Sequence, residues 1–396
     1  MSEWQTFCLK DLGKIVGGAT PPTNNPRNYG NKIAWITPKD LSTLQGRYIK
    51  KGSRSISRLG FKSCSTFLLP KHAILFSSRA PIGYVAIAEK RLCTNQGFKS
   101  IIPNKKIYFE FLYYLLKYHK DNISNIGGGT TFKEVSGATL GLFQVKIPPT
   151  YHEQQKIART LSVLDQKIEN NHKINELLHK ILELLYEQYF VRFDFLDENN
   201  KPYQTSGGKM KFSKELNRLI PNGWSVRFLN HKIVSTYQPK TISKTLLNNS
   251  YSYSVYGGGG IIGRFTEYNH EQSEFIISCR GQCGISYLTL PKSWITGNAM
   301  VIRPTKSYTS KTYLYHTIKK YKLTNYITGS VQPQITRQNL STMPILIPKR
   351  KILNKWNNIS SLLWNLIHNN MQTTQTLTAL RDFLLPLLLK QQVKPQ

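Results

Sequence analysis

The chain is 396 residues long and carries 54 lysines and arginines against 21 aspartates and glutamates, a formal charge of +33 with a pI near 9.9. At about 150 residues per domain this length predicts two or three domains, and 40% hydrophobic with 11% aromatic residues excludes a disordered basic tail. The excess of positive charge suits a polyanionic partner and disfavours catalysis built on many carboxylates. Residues 1–10 (MSEWQTFCLK) lack the basic-then-apolar order of a secretory signal. The most apolar stretch, residues 383–389, contains Pro386 and is too short to cross a bilayer. The five cysteines, Cys8, Cys64, Cys93, Cys279 and Cys283, are odd in number and form no Cys-x-x-Cys pair, which predicts free thiols in a reducing cytoplasm. No nearby His or Cys pair completes a zinc site beside Cys279 and Cys283, so both read as packing residues.

Along the chain, short β-like runs with turns (residues 73–76 and Val85–Ala88) precede a helix at Phe109–Tyr118. A long helical segment follows. From Ile157 the positions Leu161, Leu164, Ile168, Asn171, Asn175, Leu178, Leu182, Leu185 and Tyr189 alternate intervals of three and four, the spacing of a coiled-coil seam. At 1.5 Å per residue that helix is roughly 55–60 Å long. Residues 194–221, rich in Asn, Gly, Ser, Lys and Pro, read as a mostly extended connector. The second half repeats the order: strands at Phe275–Ser278 and 294–296, a helix at 313–322, then a seam at Trp356, Ile359, Leu363, Leu366, Asn370, Thr373, Leu377, Leu380 and Leu384.

The chain is therefore read as a duplication. At an offset of 200 Gly129-Thr130, Val135, Leu140, Phe143 and Ile147-Pro148 answer Gly329-Ser330, Ile335, Leu340, Met343 and Ile347-Pro348. At 201, Arg79 and Gly83 answer Arg280 and Gly284. The expected fold is α+β: two tandem domains of similar fold separated by two long antiparallel coiled-coil helices, with pseudo-twofold symmetry and the mid-seam asparagines fixing register. The alternative is that each long helix packs only on its own domain. The boundaries expected are 1–150, helix 151–190, linker 191–220, 221–348 and helix 349–390. Residues 1–150 hold 22 bases against 7 acids and residues 221–348 hold 14 against 3, whereas 151–190 hold 5 against 6. The two globular parts thus carry the positive field.

The order of these features resembles the specificity subunit of type I restriction-modification systems. The likeness is strongest in the centre, at Leu185-Tyr186-Glu187-Gln188-Tyr189-Phe190-Val191-Arg192-Phe193-Asp194-Phe195, Lys201-Pro202-Tyr203, Gly207-Gly208-Lys209-Met210 and Ile220-Pro221-Asn222-Gly223-Trp224. Leu12-Gly13-Lys14-Ile15-Val16-Gly17-Gly18-Ala19-Thr20-Pro21 resembles the family's opening motif, and Pro148-Pro149 with Glu153-Gln154-Gln155-Lys156-Ile157 its junction between recognition domain and helix. The second half departs with Lys349-Arg350-Lys351 after Ile347-Pro348, which predicts a differently packed junction.

The resemblance implies two target-recognition domains, each reading one half of a bipartite double-stranded DNA target. The paired helices set the gap and dock two methyltransferase (modification) subunits. S-adenosylmethionine, ATP and magnesium belong to partner subunits, the restriction subunits included, and this subunit is non-catalytic, binds no metal or cofactor of its own and has no membrane partner. The residues agree that the chain performs none of these reactions itself, since there is no GxxxxGK[ST] loop and no Asn/Asp-Pro-Pro-aromatic run. A methyltransferase or nuclease fusion, and a stand-alone DNA-binding protein, are the rival readings.

A reader of bases needs Arg or Lys for guanine and Asn or Gln for adenine. Ser77-Ser78-Arg79 and Arg280 with Gln282 supply that mixture, the arginines going to guanine, to phosphate or to a structural ion pair. Asn95, Gln96 and Asn298 either face the groove or form turns. Gly128-Gly129-Thr130-Thr131 with Lys133, and Ser330, Gln332, Gln334 and Arg337, lie on glycine-bearing loops that can approach DNA closely. Tyr256-Gly257-Gly258 offers an aromatic face and amides. Lys50, Lys51, Arg54 and Arg58 form a basic run expected to track phosphates.

Overall fold

The computed structural model describes residues 3–79, 81–128, 133–248 and 251–394. The chain divides into two compact units, Met1–Lys173 with Gln372–Gln396, and Ile174–Met371. Both long helices form, Tyr151–Tyr186 continued by a π-helical turn Glu187–Val191, and Arg350–Leu389, and each gives one end to each unit. Among the described residues no helix is long and apolar enough to cross a membrane.

The two units share a topology. In the first, Gln5–Cys8 pairs antiparallel with Gln144–Ile147, and in the second Ser225–Phe228 pairs the same way with Pro344–Ile347. The main sheet of the first unit runs Gly13–Gly17, Lys99–Pro103, Ile74–Phe76, Val85–Ala88, Tyr48–Ile49, and that of the second Val234–Tyr237, Ala299–Pro304, Phe275–Ser278, Ser286–Leu288. The continuous apolar runs Ile74–Phe76 and Phe275–Ser278 are buried throughout, which is what such runs require. Beside each sheet stands a three-stranded one whose last pairing is parallel, Trp35 with Cys93 and Val255 with Trp294. One helix covers each main sheet, Phe109–Tyr118 and Lys311–Lys319. The second begins before residue 313 because the Ser310 hydroxyl accepts the Tyr313 N–H as an N-cap.

Within each unit the ends of the long helices pair antiparallel. In the first unit Asn171 donates to Thr374 (3.2 Å) and Arg381 to Asp165 (2.7 Å). In the second Asn175 donates to the Ile367 carbonyl (3.3 Å) and accepts from Asn370 (2.9 Å), and His179 packs on Trp364. The first helix uses the expected seam. The second uses it in part: Trp356 is buried and Leu363, Asn370, Leu377 and Leu384 are half-buried, but Ile359, Leu366, Thr373 and Leu380 are exposed, and there the facing positions lie one residue later, at Ser360, Ile367, Thr374 and Arg381. The expected series followed the most apolar side chains, whereas the real seam must also meet the neighbouring domain, where Ser360 bonds Thr312 (2.8 Å).

The apolar residues left over form a second stripe one position before the seam. In the second unit these are Ile174, Leu177 (58% exposed), Ile181 and Leu184 (68%) on the first helix, with Ile359, Leu362 (61%) and Leu366 on the second. In an antiparallel pair, positions just before the seam on both helices flank the same side. The first unit adds Val163, Leu380 and Phe383.

Residues 194–221 are not an extended connector. Met210–Ser213 and Arg218–Pro221 form a hairpin, and Phe195 stacks between Tyr203 and Trp224 in the core of the second unit. The two junctions also differ. In the first, the amide of buried Gln154 accepts from the Tyr108 N–H and donates to the Lys106 and Pro148 carbonyls. In the second, Lys349 lies across Gly223, where a Cβ would come within 2.6 Å of its chain, and Ile352 and Leu353 are buried.

His316 sits in this second core among Tyr186, Tyr315, Trp356 and Trp364, its Nε2 without a hydrogen-bond partner among the described residues. Burial, assisted by Lys319, His179 and Lys320, lowers its pKa to about 3. The folded value lies below the unfolded one of about 6.5, so the stabilisation is complete above pH ~6.5 and declines as pH falls towards ~3. The slope approaches about 1.4 kcal/mol per pH unit. Denaturant melts between pH 7 and pH 4.5, followed by the fluorescence of Trp356 and Trp364, should show this loss, and His316→Gln should flatten it. An unchanged slope in the variant would refute the assignment.

Candidate nucleic-acid interface

In each unit the cationic loops named above rest on the same backbone frame. In the first, Ser77 Oγ donates to the Pro81 carbonyl (2.8 Å) and accepts the Tyr84 N–H (2.8 Å). The Ser78 N–H meets the Gly97 carbonyl (2.8 Å), and the Val135 N–H meets the Ser78 carbonyl (3.0 Å). In the second, Ser278 Oγ donates to the Gln282 carbonyl (2.6 Å) and accepts the Ile285 N–H (2.8 Å). There the Cys279 N–H meets Asn298 O and the Ile335 N–H meets Cys279 O, both at 3.0 Å. Gly83 and Gly284 close the two turns with φ of +101° and +90°, a region open to glycine. Four matched bonds in two copies place Arg79 and Arg280 at the same point of the two domains.

This frame gathers predicted residues that lie far apart in sequence. In the second unit the loop of Arg280, Gly281 and Gln282 meets the loop 329–334 through an antiparallel bridge between Arg280 and Gln334. The glycine tip joins them, since a Cβ on Gly258 would stand 3.0 Å from the Arg280 carbonyl. Arg280, Gln282, Asn298, Ser330, Gln332, Gln334 and Arg337 are all exposed. Tyr256 and Gly257 are buried, with the Tyr256 hydroxyl accepting the Leu290 N–H (3.0 Å) and burial raising its pKa to about 12. Tyr256 therefore supports the loop from within. Cys279, also buried, receives the Gln238 amide at 2.8 Å, and burial holds its thiol pKa up.

In the first unit Ser77 and Ser78 are buried and brace the turn, while Arg79 is half-exposed and pairs with Glu134 (3.7 Å). Lys99 approaches the same carboxylate (3.4 Å). Asn95 Oδ1 accepts the Gly97 N–H (3.0 Å), the turn-forming role, and Gln96 is exposed and bonded to Thr20. Gly128 bridges to Glu134 and Lys133 is exposed, while Gly129, Thr130 and Thr131 lie outside the described residues.

The basic run splits. Lys50 pairs with Glu89 (3.7 Å) and Arg54 lies over the rings of Tyr29 and Trp35 (4.5 and 5.5 Å), whereas Lys51 and Arg58 are exposed. Asp40 shapes the turn beside it: burial pushes its pKa up, but hydrogen bonds from Ser53 and Thr37 outweigh this and hold it below the ordinary carboxylate value. Two residues of the site escaped sequence reasoning. Glu134 was detectable as the counterpart of Gln334 at the 200-residue offset, whereas Val331, 91% exposed, carried no signal beyond its place in a loop. Among the described residues no cluster of three or more His, Cys, Asp or Glu is placed to hold a metal.

The family model for the type I restriction modification DNA specificity domain matches residues 1–180 and 221–380. The chain is 32% identical over 422 aligned positions to the type I restriction enzyme MjaIX specificity subunit of Methanocaldococcus jannaschii, covering 98% of this chain and 92% of that protein. It is 30% identical over 191 positions to the HindI specificity subunit of Haemophilus influenzae, covering 46% and 40%. In fold it is similar to the crystal structure of a type I restriction-modification S subunit from M. genitalium, with a TM-score of 0.61, 18% identity and 97% and 96% of the two chains covered. With both halves matched and a near full-length relative at this identity, the chain belongs to the family of type I restriction-modification specificity subunits and carries two target-recognition domains.

Proposed function

We propose that each domain reads one half of a bipartite DNA target and that the chain itself is non-catalytic, working in the cytoplasm. Two modification subunits bring S-adenosylmethionine, and restriction subunits bring ATP and magnesium. The observation that carries this reading is the duplicated loop frame, which presents matching polar loops on two strongly basic domains. Adenine methylation mapped in a genome expressing this chain with its modification partner should show two short motifs at a fixed gap. A single continuous motif, or none, would overturn the reading.

The modification subunits dock on the exposed stripe of the helix pair. Seven large apolar side chains on one side of a helix pair exceed the scattered exposure normal for a surface. Leu177→Glu with Leu184→Glu should weaken co-purification of the modification subunit by about 100-fold, because carboxylates would be buried unpaired. Circular dichroism and melting should be unchanged, since both side chains are exposed in the free chain. Undiminished association would place the partner elsewhere.

A further inference from the structure

The two recognition loops share a frame but not a charge state. In the first domain Arg79 faces Glu134, with Lys99 completing the cluster. In the second the residue at the place of Glu134 is Gln334, and it bridges Arg280 through the backbone. Residues 221–348 contain only three acids, Glu267, Glu271 and Glu274. Glu274 is held by Arg303 (2.6 Å) and Glu271 by Lys292 (3.7 Å). Among the described residues, then, Arg280 is an exposed guanidinium with no ion pair.

Its surroundings are ordered without being covered. Gly281 and Gly329 take left-handed φ of +75° and +89° at the bases of the two loops. The Cys283 thiol donates to the Pro333 carbonyl (3.1 Å), tying one loop to the other. Between them a cleft is lined by Arg280, Gly281, Val331, Gln332, Pro333 and Gln334. Val331 at its rim buries nothing in the free chain. A guanidinium fork, a carboxamide and a bare branched methyl pair are the groups that meet guanine O6 and N7, adenine N6 and N7, and the thymine methyl in a major groove. Phosphate recognition explains the free arginine; it does not explain the bare valine beside it.

Resting on the DNA-reading function above, we propose that Arg280 reads a guanine in the half-site of the second domain, with Val331 and Gln332 on the neighbouring base pairs, while Arg79 is a structural partner of Glu134 and reads no base. The two halves of the target are thus specified by different chemistry despite the shared fold.

The test is selection of bound duplexes from a library randomised in both half-sites, using the chain with its modification subunits. Arg280→Ala and Arg280→Lys should each relax one G·C position in one half-site by about 10- to 100-fold and leave the other half-site unchanged. The lysine variant keeps the charge and loses the fork. Arg79→Ala should leave every base preference in place. The inference is overturned if Arg280→Ala weakens all sequences equally, or if Arg280→Lys behaves as the parent, either of which indicates phosphate. A base preference lost in Arg79→Ala overturns it also. A parent complex that selects no bipartite motif defeats the underlying reading and the inference together. Arg280 is exposed, so all variants are expected to fold, and unchanged melting verifies it.

Discussion

Arg381→Ala is expected to destabilise the first unit by about 3–5 kcal/mol, the cost of leaving a buried carboxylate without its counter-ion. Asp165 is 3% exposed and lies where three elements meet. Arg381 of the second long helix reaches it at 2.7 Å, and the Tyr114 hydroxyl of the domain helix donates to it at 2.6 Å. Arg381 also holds Asp382 (2.7 Å), but that carboxylate is half-exposed and loses little when freed. Burial, with Asp165 nearby, drives the Tyr114 pKa far upward, so the phenol remains a donor and one lone pair of Asp165 stays satisfied. The guanidinium is what balances the charge. For a unit of this size the loss corresponds to a fall of about 6–20 °C in melting temperature. Asp165→Leu with Arg381→Met, which removes both charges, should recover most of it. A loss below about 1 kcal/mol in Arg381→Ala would mean that water screens the pair as it does a surface bridge.

The corresponding junction of the second unit uses other chemistry. By the repeat, Tyr114 answers His316 and Asp165 answers Trp364, so an ionic contact is replaced by rings, with His316 kept neutral by burial. Such divergence is one reason the duplication was legible in glycines, prolines and apolar anchors rather than in polar residues. Gly83 and Gly284 recur because the turn they close needs positive φ, and Leu140 and Leu340 recur because both are buried.

The seam of the first helix was readable because heptad positions there coincide with its leucines. In the second helix two apolar stripes compete, and periodicity alone cannot say that Leu366 is exposed while Ile367 is 0% exposed. That choice is made by the neighbouring domain. The hairpin at Met210–Ser213 and Arg218–Pro221 was hidden by its glycine- and lysine-rich flanks, although Phe193, Phe195 and Trp224 are the aromatic anchors that fold it onto the core. In the candidate interface the arginines and glutamines were legible by type. Which arginine is neutralised was not, because Glu134 lies 55 residues beyond Arg79 and only the fold brings them within 3.7 Å.

Deleting residues 171–177 together with 367–373 should shorten the gap between the two half-sites while leaving the bases of each unchanged. Seven residues are two helical turns, about 10.5 Å of rise, or roughly three base pairs of B-DNA at 3.4 Å each. A whole heptad is removed from each helix, so the seam closes with its intervals intact: Ile168 is followed by Leu178 and Leu363 by Thr374, at spacings of three and four. The facing asparagines Asn171, Asn175 and Asn370 leave together, so no carboxamide is stranded in the seam. Deleting a heptad from one helix alone slips the seam and should unfold the pair, which makes it the control. Three base pairs also turn a duplex by about 100°, at 10.5 pairs per turn, whereas a heptad deletion turns a coiled coil hardly at all. The shortened protein should therefore bind its new target more weakly than the parent binds its own, the duplex having to twist to present both halves. Methylation mapping reads the gap, and binding to duplexes of stepped spacing reads the penalty. An unchanged gap would show that the helices do not measure it, and altered bases would show that the domains do not read independently of them.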